Sequence, residues 1–196
     1  MKKDWGVYVH IPFCKRKCDY CDFVSFVNNG DTVTEYIKAL ALEINYRMPK
    51  TIEKYGKPAT LYIGGGTPSL LAIKEIDKIF SVMGKYTNIA DFEEITIEAN
   101  PESVTREKLT FYKNLGVNRV SFGAQSFNDN ILKRIGRLHT AKEAVNAVTL
   151  AKEVGFDNVS LDLMYALPGE ALTDLQSNIE TAAKLEPEHI SAYCLT

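Results

Sequence analysis

The chain has 196 residues, a formal charge of −2 and 45% hydrophobic residues, the balance expected of a soluble globular protein. A charge so near zero carries no basic signature of nucleic-acid binding, and no apolar run approaches the ~18 residues of a membrane span. The opening MKKDWGVYVHIPF turns polar too often for the core of a signal peptide. The cytoplasm is therefore the expected compartment, where thiols stay reduced and clustered cysteines serve metals or catalysis rather than disulfides.

The first strand-like run, Trp5–Ile11, leads into HIPFCKRKCDYCDFVSF, residues 10–26. This stretch holds three of the four cysteines, spaced Cys14-x3-Cys18-x2-Cys21. It reads as a loop of about 15–20 residues, a length that in a compact domain is usually functional. Three thiolates can hold a metal but cannot close a tetrahedral zinc site, and an Fe–S cube also wants four ligands. A cube held by three cysteines keeps one iron open.

Beyond the loop, Thr32-x-x-Glu35 reads as the capping box of a first helix that stops before Pro49. The second run, Ala59–Ile63, precedes Gly64-Gly65-Gly66-Thr67-Pro68. Those glycines read either as a flexible turn or as bare backbone that approaches a ligand and donates N–H groups to it. A helix over Ile73–Met83 closes near Gly84. The third run, Glu94–Glu98, ends on a carboxylate that suits a salt bridge, an ammonium or a ribose diol. Leu109, Tyr112 and Leu115 mark a helix ended by Gly116.

The fourth run, Asn118–Phe122, leads to Gln125, whose amide can donate and accept, and a short helix covers Asn128–Ile135. Arg137 reads as a solvated charge or as a planar fork for a carboxylate. Thr140-x-x-Glu143 opens another helix, closed by Gly155. The fifth run, Asn158–Met164, carries Asp162, costly if buried and unpaired. A last helix opens at Thr173-x-x-Gln176 and stops before Pro187. The sixth run, His189–Leu195, contains Cys194, read as a buried core thiol. His139 and His189 take ordinary polar roles.

This alternation predicts an α/β protein with parallel strands, in one domain over residues 1–196. Every strand has one apolar and one polar face, unlike the continuous apolar runs of a doubly wound sheet. The pattern implies a curved sheet around a polar cavity. A full eight-stranded barrel takes about 250 residues, so a partial (β/α)6 TIM-like barrel fits better. Chemistry in such folds gathers at the carboxyl ends of the strands, where the Cys loop and the polar groups above converge.

The Cys14-x3-Cys18-x2-Cys21 motif, with aromatic Tyr20 before its last cysteine, resembles the hallmark of the radical S-adenosylmethionine (SAM) superfamily. More narrowly, Tyr8-Val-His10-Ile-Pro12-Phe13-Cys14, Gly64-Gly-Gly-Thr67-Pro68, Glu98-Ala-Asn100-Pro101, Phe122-Gly-Ala-Gln125-Ser126 and Asp162-Leu-Met-Tyr165-Ala-Leu-Pro168-Gly169 resemble the oxygen-independent coproporphyrinogen III oxidase family and its heme chaperone branch. The resemblance implies a [4Fe–4S] cluster on Cys14, Cys18 and Cys21, with SAM at the open iron. It also implies SAM contacts from Tyr8, Tyr20, Gly65, Gly66, Thr67, Glu98, Gln125, Arg137 and Asp162. In that division Gly65, Gly66 and Glu98 meet the ammonium, Arg137 the carboxylate, and Gln125 with Asp162 the ribose. An electron from a reduced flavodoxin- or ferredoxin-type donor would cleave SAM to methionine and a 5′-deoxyadenosyl radical.

The oxidases carry a further cysteine two residues after the last ligand, where this chain has Asp22-Phe23. Cys-Asp-Phe is similar to the chaperone branch, which holds heme and passes it to apoproteins. The N-terminus starts almost at the first strand, without room for the oxidase's extra segment. Relatives continue well past the sixth strand, so the chain reads as an N-terminal fragment, with heme bound in the full-length protein. The rival readings are the oxidase, which decarboxylates two propionates of coproporphyrinogen, and a structural metal module without catalysis.

Overall fold

The computed structural model describes residues 5–27 and 31–195. Six strands form one parallel sheet: β1 (Gly6–Ile11), β4 (Thr60–Gly65), β5 (Glu94–Ala99), β6 (Arg119–Gln125), β7 (Val159–Tyr165) and β8 (His189–Cys194). Sheet order follows chain order, and β1 and β8 are the two ends, so the sheet is an open partial barrel. Each strand beside its predecessor, with a helical connection between them, is the product of successive right-handed βα units. Two two-residue strands, β2 (Phe13–Cys14) and β3 (Phe26–Val27), pair separately within the Cys loop.

The alternation forecast from the sequence is realised. Val9, Ile11, Leu61, Ile63, Ile95, Ile97, Val120, Phe122, Val159 and Leu161 are all buried on the helical side. They pack against Ile76, Phe80 and Met83 of α2 (Ile73–Met83), Leu109 and Tyr112 of α3 (Arg106–Asn114), Val148 of α5 (Ala141–Val154) and Ala182 of α6 (Leu172–Leu185). Burying each such Val, Leu or Ile contributes about 1.5–3 kcal/mol, which fixes register, since a one-residue slip would turn the whole set inward. The opposite face carries Tyr62, Thr96, Glu98, Arg119, Ser121, Ser160, Asp162 and Ser191.

Helix ends match the sequence signals in most places. Thr140 caps α5 with its reciprocal Glu143 bond, and Gly155 ends it at φ 96°. Asn128 caps α4 (Asp129–Arg134), and Gly116 follows α3 at φ 98°. Two helices differ. The first, α1, spans Asp31–Tyr55, so Thr32 lies inside its first turn and Pro49 inside the helix. Packing on both sides of the proline outweighs its penalty of about 3 kcal/mol: before it Met48 is buried in the core and the Tyr86 hydroxyl donates to Asn45 Oδ1 at 2.7 Å, and after it Ile52 packs against the core. The last, α6, opens two residues earlier than Thr173-x-x-Gln176 implies, with the Asp174 carboxylate accepting from the Ala171 N–H at 2.8 Å.

Cys194 is exposed rather than buried. Strand β8 ends the sheet, and among the described residues no helix follows it to cover its faces. An apolar pattern implies burial only where another layer arrives.

Candidate cofactor site

The Cys loop is folded back against the carboxyl end of β1. Phe26 N–H donates to Pro12 O at 2.9 Å, and the Phe13 ring stands edge-on to Phe26 and Tyr36 at 5.4 and 5.3 Å. The Tyr36 hydroxyl donates to His10 O, tying the loop base to α1. Cys14 is buried, Cys18 and Cys21 are half-buried, and all three are unpaired thiols. A turn joins the last two, Cys21 N–H donating to Cys18 O at 3.1 Å.

All three cysteines line one cavity of about 550 Å3, within the range of small-molecule sites. A [4Fe–4S] cluster fits this donor set, since it takes one thiolate per iron, and a zinc of structural type would need a fourth ligand. The remaining cysteine, Cys194, lies exposed on β8. Among the described residues no three His, Cys, Asp or Glu side chains converge on a single-ion position. Burial pushes the Cys18 thiol up, opposed by the Arg137 guanidinium beside it.

The glycine loop does something other than donate to a ligand. Gly65 N–H donates to Glu98 Oε2 at 2.9 Å, Gly66 N–H to Ile11 O at 2.7 Å, and Thr67 N–H to Phe13 O at 2.8 Å. These amides are spent inside the protein and are not free to donate to a ligand. The absence of side chains serves close packing. A Cβ on Gly66 would lie 2.8 Å from Phe13 O and 3.0 Å from Cys14 Sγ, and one on Gly64 would lie 2.9 Å from the Glu98 carboxylate. The loop is a seat for the cysteine segment, completed by Thr67 Oγ1 against Cys14 Sγ at 3.7 Å.

Glu98 faces the cavity with both oxygens engaged, Oε1 accepting from the Tyr62 hydroxyl at 2.6 Å. Burial and then this bond push the Tyr62 phenol well above its ordinary range. Across the cavity, burial and then Glu98 push the Asp162 carboxyl up, opposed by Ser191 and Arg119. The two carboxylates suit hydroxyl donors or an ammonium, with Arg119 and Arg137 lining the same cavity.

Arg137 is not a solvated charge. One amine of its fork donates to Asn100 Oδ1 at 2.8 Å and to Gly123 O, and the other reaches the Tyr20 hydroxyl at 3.5 Å and Cys18 Sγ at 3.9 Å. It therefore clasps the Cys loop to β5 and β6, and its Nε is buried without a partner. Burial works against its charge, but Tyr20, Cys18 and Glu102 outweigh that and raise its pKa. Gln125 ends β6 in the left-handed region, φ 64°, at a register shift against β7. Only a residue held by its surroundings keeps that conformation.

Of the residues expected around SAM, Tyr20, Gly65, Gly66, Thr67, Glu98, Gln125, Arg137 and Asp162 share the cavity wall with the three cysteines. Tyr8 does not. It is 58% exposed, stacks on Tyr62 at 5.9 Å and bonds His10 Nδ1 at 3.1 Å, one layer outside the wall. Asn100, Arg119 and Ser191 also line the cavity. The inward half of the strand alternation carried that signal for Arg119 and Ser191, and Asn100 stands in the Glu98-Ala-Asn100-Pro101 motif.

Residues 8–182 match the family model of the radical SAM superfamily. The chain belongs to the radical SAM superfamily. Membership implies a [4Fe–4S] cluster and SAM, and the wall above contains groups suited to both. The chain is 43% identical over 193 residues to heme chaperone HemW of Bacillus subtilis, covering 97% of this chain and 50% of that protein. It is 37% identical over 196 residues to heme chaperone HemW of Escherichia coli, again covering 97% of this chain and 50% of the relative. It thus spans about half the length of these curated relatives. Among solved structures, coproporphyrinogen III oxidase HemN of Escherichia coli superposes with a TM-score of 0.89 at 27% identity, over 100% of this chain and 45% of that one. In this radical SAM chain, no helix among the described residues is long and apolar enough to cross a membrane.

Proposed function

We propose that this chain holds a [4Fe–4S] cluster on Cys14, Cys18 and Cys21, binds SAM beside it, and serves heme transfer as part of a chaperone like its HemW relatives. The observation that carries the cofactor reading is the single cavity shared by the three thiols, Glu98, Gln125, Arg137 and Asp162. When bound, the cluster supplies an open iron and one-electron chemistry. The chain's own part is to bind, orient and shield. The Gly65 and Gly66 carbonyls and Glu98 accept from an ammonium. Asp162 and Gln125 suit ribose hydroxyls. Tyr20 and Thr67 flank the thiols, and Arg137 holds the Cys loop in place while its guanidinium faces a carboxylate. Tyr8 acts at one remove, by stacking on Tyr62, which in turn fixes Glu98.

The heme reading rests on the relatives and on Asp22-Phe23, which stands where the oxidases carry a further cysteine. Its partners would be heme, a flavodoxin- or ferredoxin-type donor and heme-accepting apoproteins, in the reduced cytoplasm. The oxidase is the second reading, favoured by the close superposition on HemN. Anaerobic reconstitution with iron and sulfide, followed by electron paramagnetic resonance, should show a cluster signal that shifts when SAM is added. An unshifted signal defeats the open-iron assignment. Incubation of the reconstituted protein with coproporphyrinogen should give no protoporphyrinogen, while hemin titration should give a saturable absorbance change; robust protoporphyrinogen formation would instead establish the oxidase.

A further inference from the structure

Behind the rim of the cavity lies a buried pair that no part of the cofactor reading uses. His139 is 3% exposed. Its Nε2 lies 3.0 Å from Ala124 O, and its Nδ1 lies 3.4 Å from Glu102 Oε2. A carbonyl only accepts, so Nε2 carries a proton and donates it to Ala124. Glu102 stands in the single 3₁₀ turn Pro101–Ser103, directly after the Asn100 that takes Arg137. Its carboxyl is held below the ordinary range because the His139 bond, its own backbone and Arg137 outweigh the burial that opposes them.

Arg137 and His139 thus grip consecutive carbonyls of β6, Gly123 O and Ala124 O. The next residue is Gln125, at φ 64° on the cavity wall. Strand alternation puts Gln125 on the cavity face with Arg119, Ser121 and Gly123, but a left-handed glutamine relaxes unless its neighbours hold it. His139 Nδ1 and Glu102 Oε2 are both buried with no hydrogen-bond partner, so their close approach is costly unless it secures something. Here what it secures is the direction of one peptide.

We infer that His139 and Glu102 are positioning residues for the nucleoside end of the ligand: His139 holds the Ala124 peptide so that Gln125 keeps its left-handed backbone on the cavity wall, and Glu102 holds His139. The inference rests on reading this cavity as the SAM site. It is tested by isothermal titration of the reconstituted protein with S-adenosylhomocysteine and with 5′-methylthioadenosine, which lacks the amino-acid end. His139→Ala should weaken both ligands about tenfold, the size expected for losing one well-placed hydrogen bond. His139→Gln, whose amide N–H can reach Ala124 O, should recover most of that loss. Should His139→Ala fail to fold, Glu102→Gln serves, with an expected loss of about threefold for both ligands. Unchanged affinity in the folded variants overturns the inference. So does a loss that His139→Gln does not restore, or one seen with S-adenosylhomocysteine alone. If the wild-type protein binds neither ligand, the SAM reading itself fails, which is a separate outcome.

Discussion

At its β1 edge the sheet is folded over and tied down, whereas at its β8 edge it is bare. Beside β1, the Cys loop returns on itself through β2 and β3, the glycine loop donates three amides into its neighbours, and Tyr36 holds the base. Strand β8 is fully paired with β7, yet Ile190, Tyr193 and Cys194 all stand exposed. The same alternating pattern therefore gives two outcomes, depending on whether a second layer arrives. A cofactor demands fixed distances, and the three thiols that would hold a cluster are at the tied edge. The bare half contributes Ser191 and Tyr193 to the cavity from the side.

The largest expected contrast is between cysteines. Replacing Cys14, Cys18 or Cys21 by alanine should abolish the cluster, measured as iron and acid-labile sulfide after reconstitution, whereas Cys194→Ala should leave both unchanged. Iron lost in Cys194→Ala would erase the distinction between the edges. Next comes the seat of the loop. Gly66→Ala drives a methyl into Phe13 O, Ile11 O and Cys14 Sγ, and overpacking of this kind costs about 1–3 kcal/mol, readable as a shifted urea midpoint.

Asp162 gives a pH-dependent test. Its carboxyl is raised in the folded state by burial and Glu98, so the folded protein binds its proton more tightly than the unfolded chain does. Stability should then fall as pH rises from the ordinary carboxylate range through the raised value. Asp162→Asn should flatten that decline and raise the melting temperature at neutral pH by a few degrees, at about 2–4 °C per kcal/mol for a chain this size, while weakening SAM binding. A melting curve that keeps its pH slope in the variant would mean that another group sets it. The smallest effect belongs to the bare edge: Ile190→Ser should change stability by no more than about 0.5 kcal/mol. A larger cost, by urea titration, would show that β8 is not bare in solution.

Most of the fold was legible because period-2 alternation and end-capping residues report on burial and on local backbone geometry, and both survive into the structure. Six strands and the polar interior follow from that. Pro49 inside α1 was not legible, because the helix persists through contacts of Met48 and Asn45 with distant residues. Nor was the exposure of Cys194, which depends on a missing neighbour rather than on its own segment. At the site, residue identities were legible and their partners were not. Arg137 reads from its sequence neighbours as a free fork, and its bonds to Asn100, Gly123 and Tyr20 exist only after the chain has folded. His139 looked ordinary for the same reason, since Glu102 and Ala124 are brought to it by β5 and β6.

The inward-turned amides of the glycine loop also set it apart from a phosphate-binding loop. A loop of glycines after a parallel strand commonly gathers N–H groups into a nest for phosphate. Here Gly65, Gly66 and Thr67 have given their protons away, to Glu98, Ile11 and Phe13. Glu98 takes one of those protons, so the loop spends its amides on a carboxylate of the cavity wall rather than on a ligand, and any anion that enters the cavity must be met by the side chains of Arg119 or Arg137 instead.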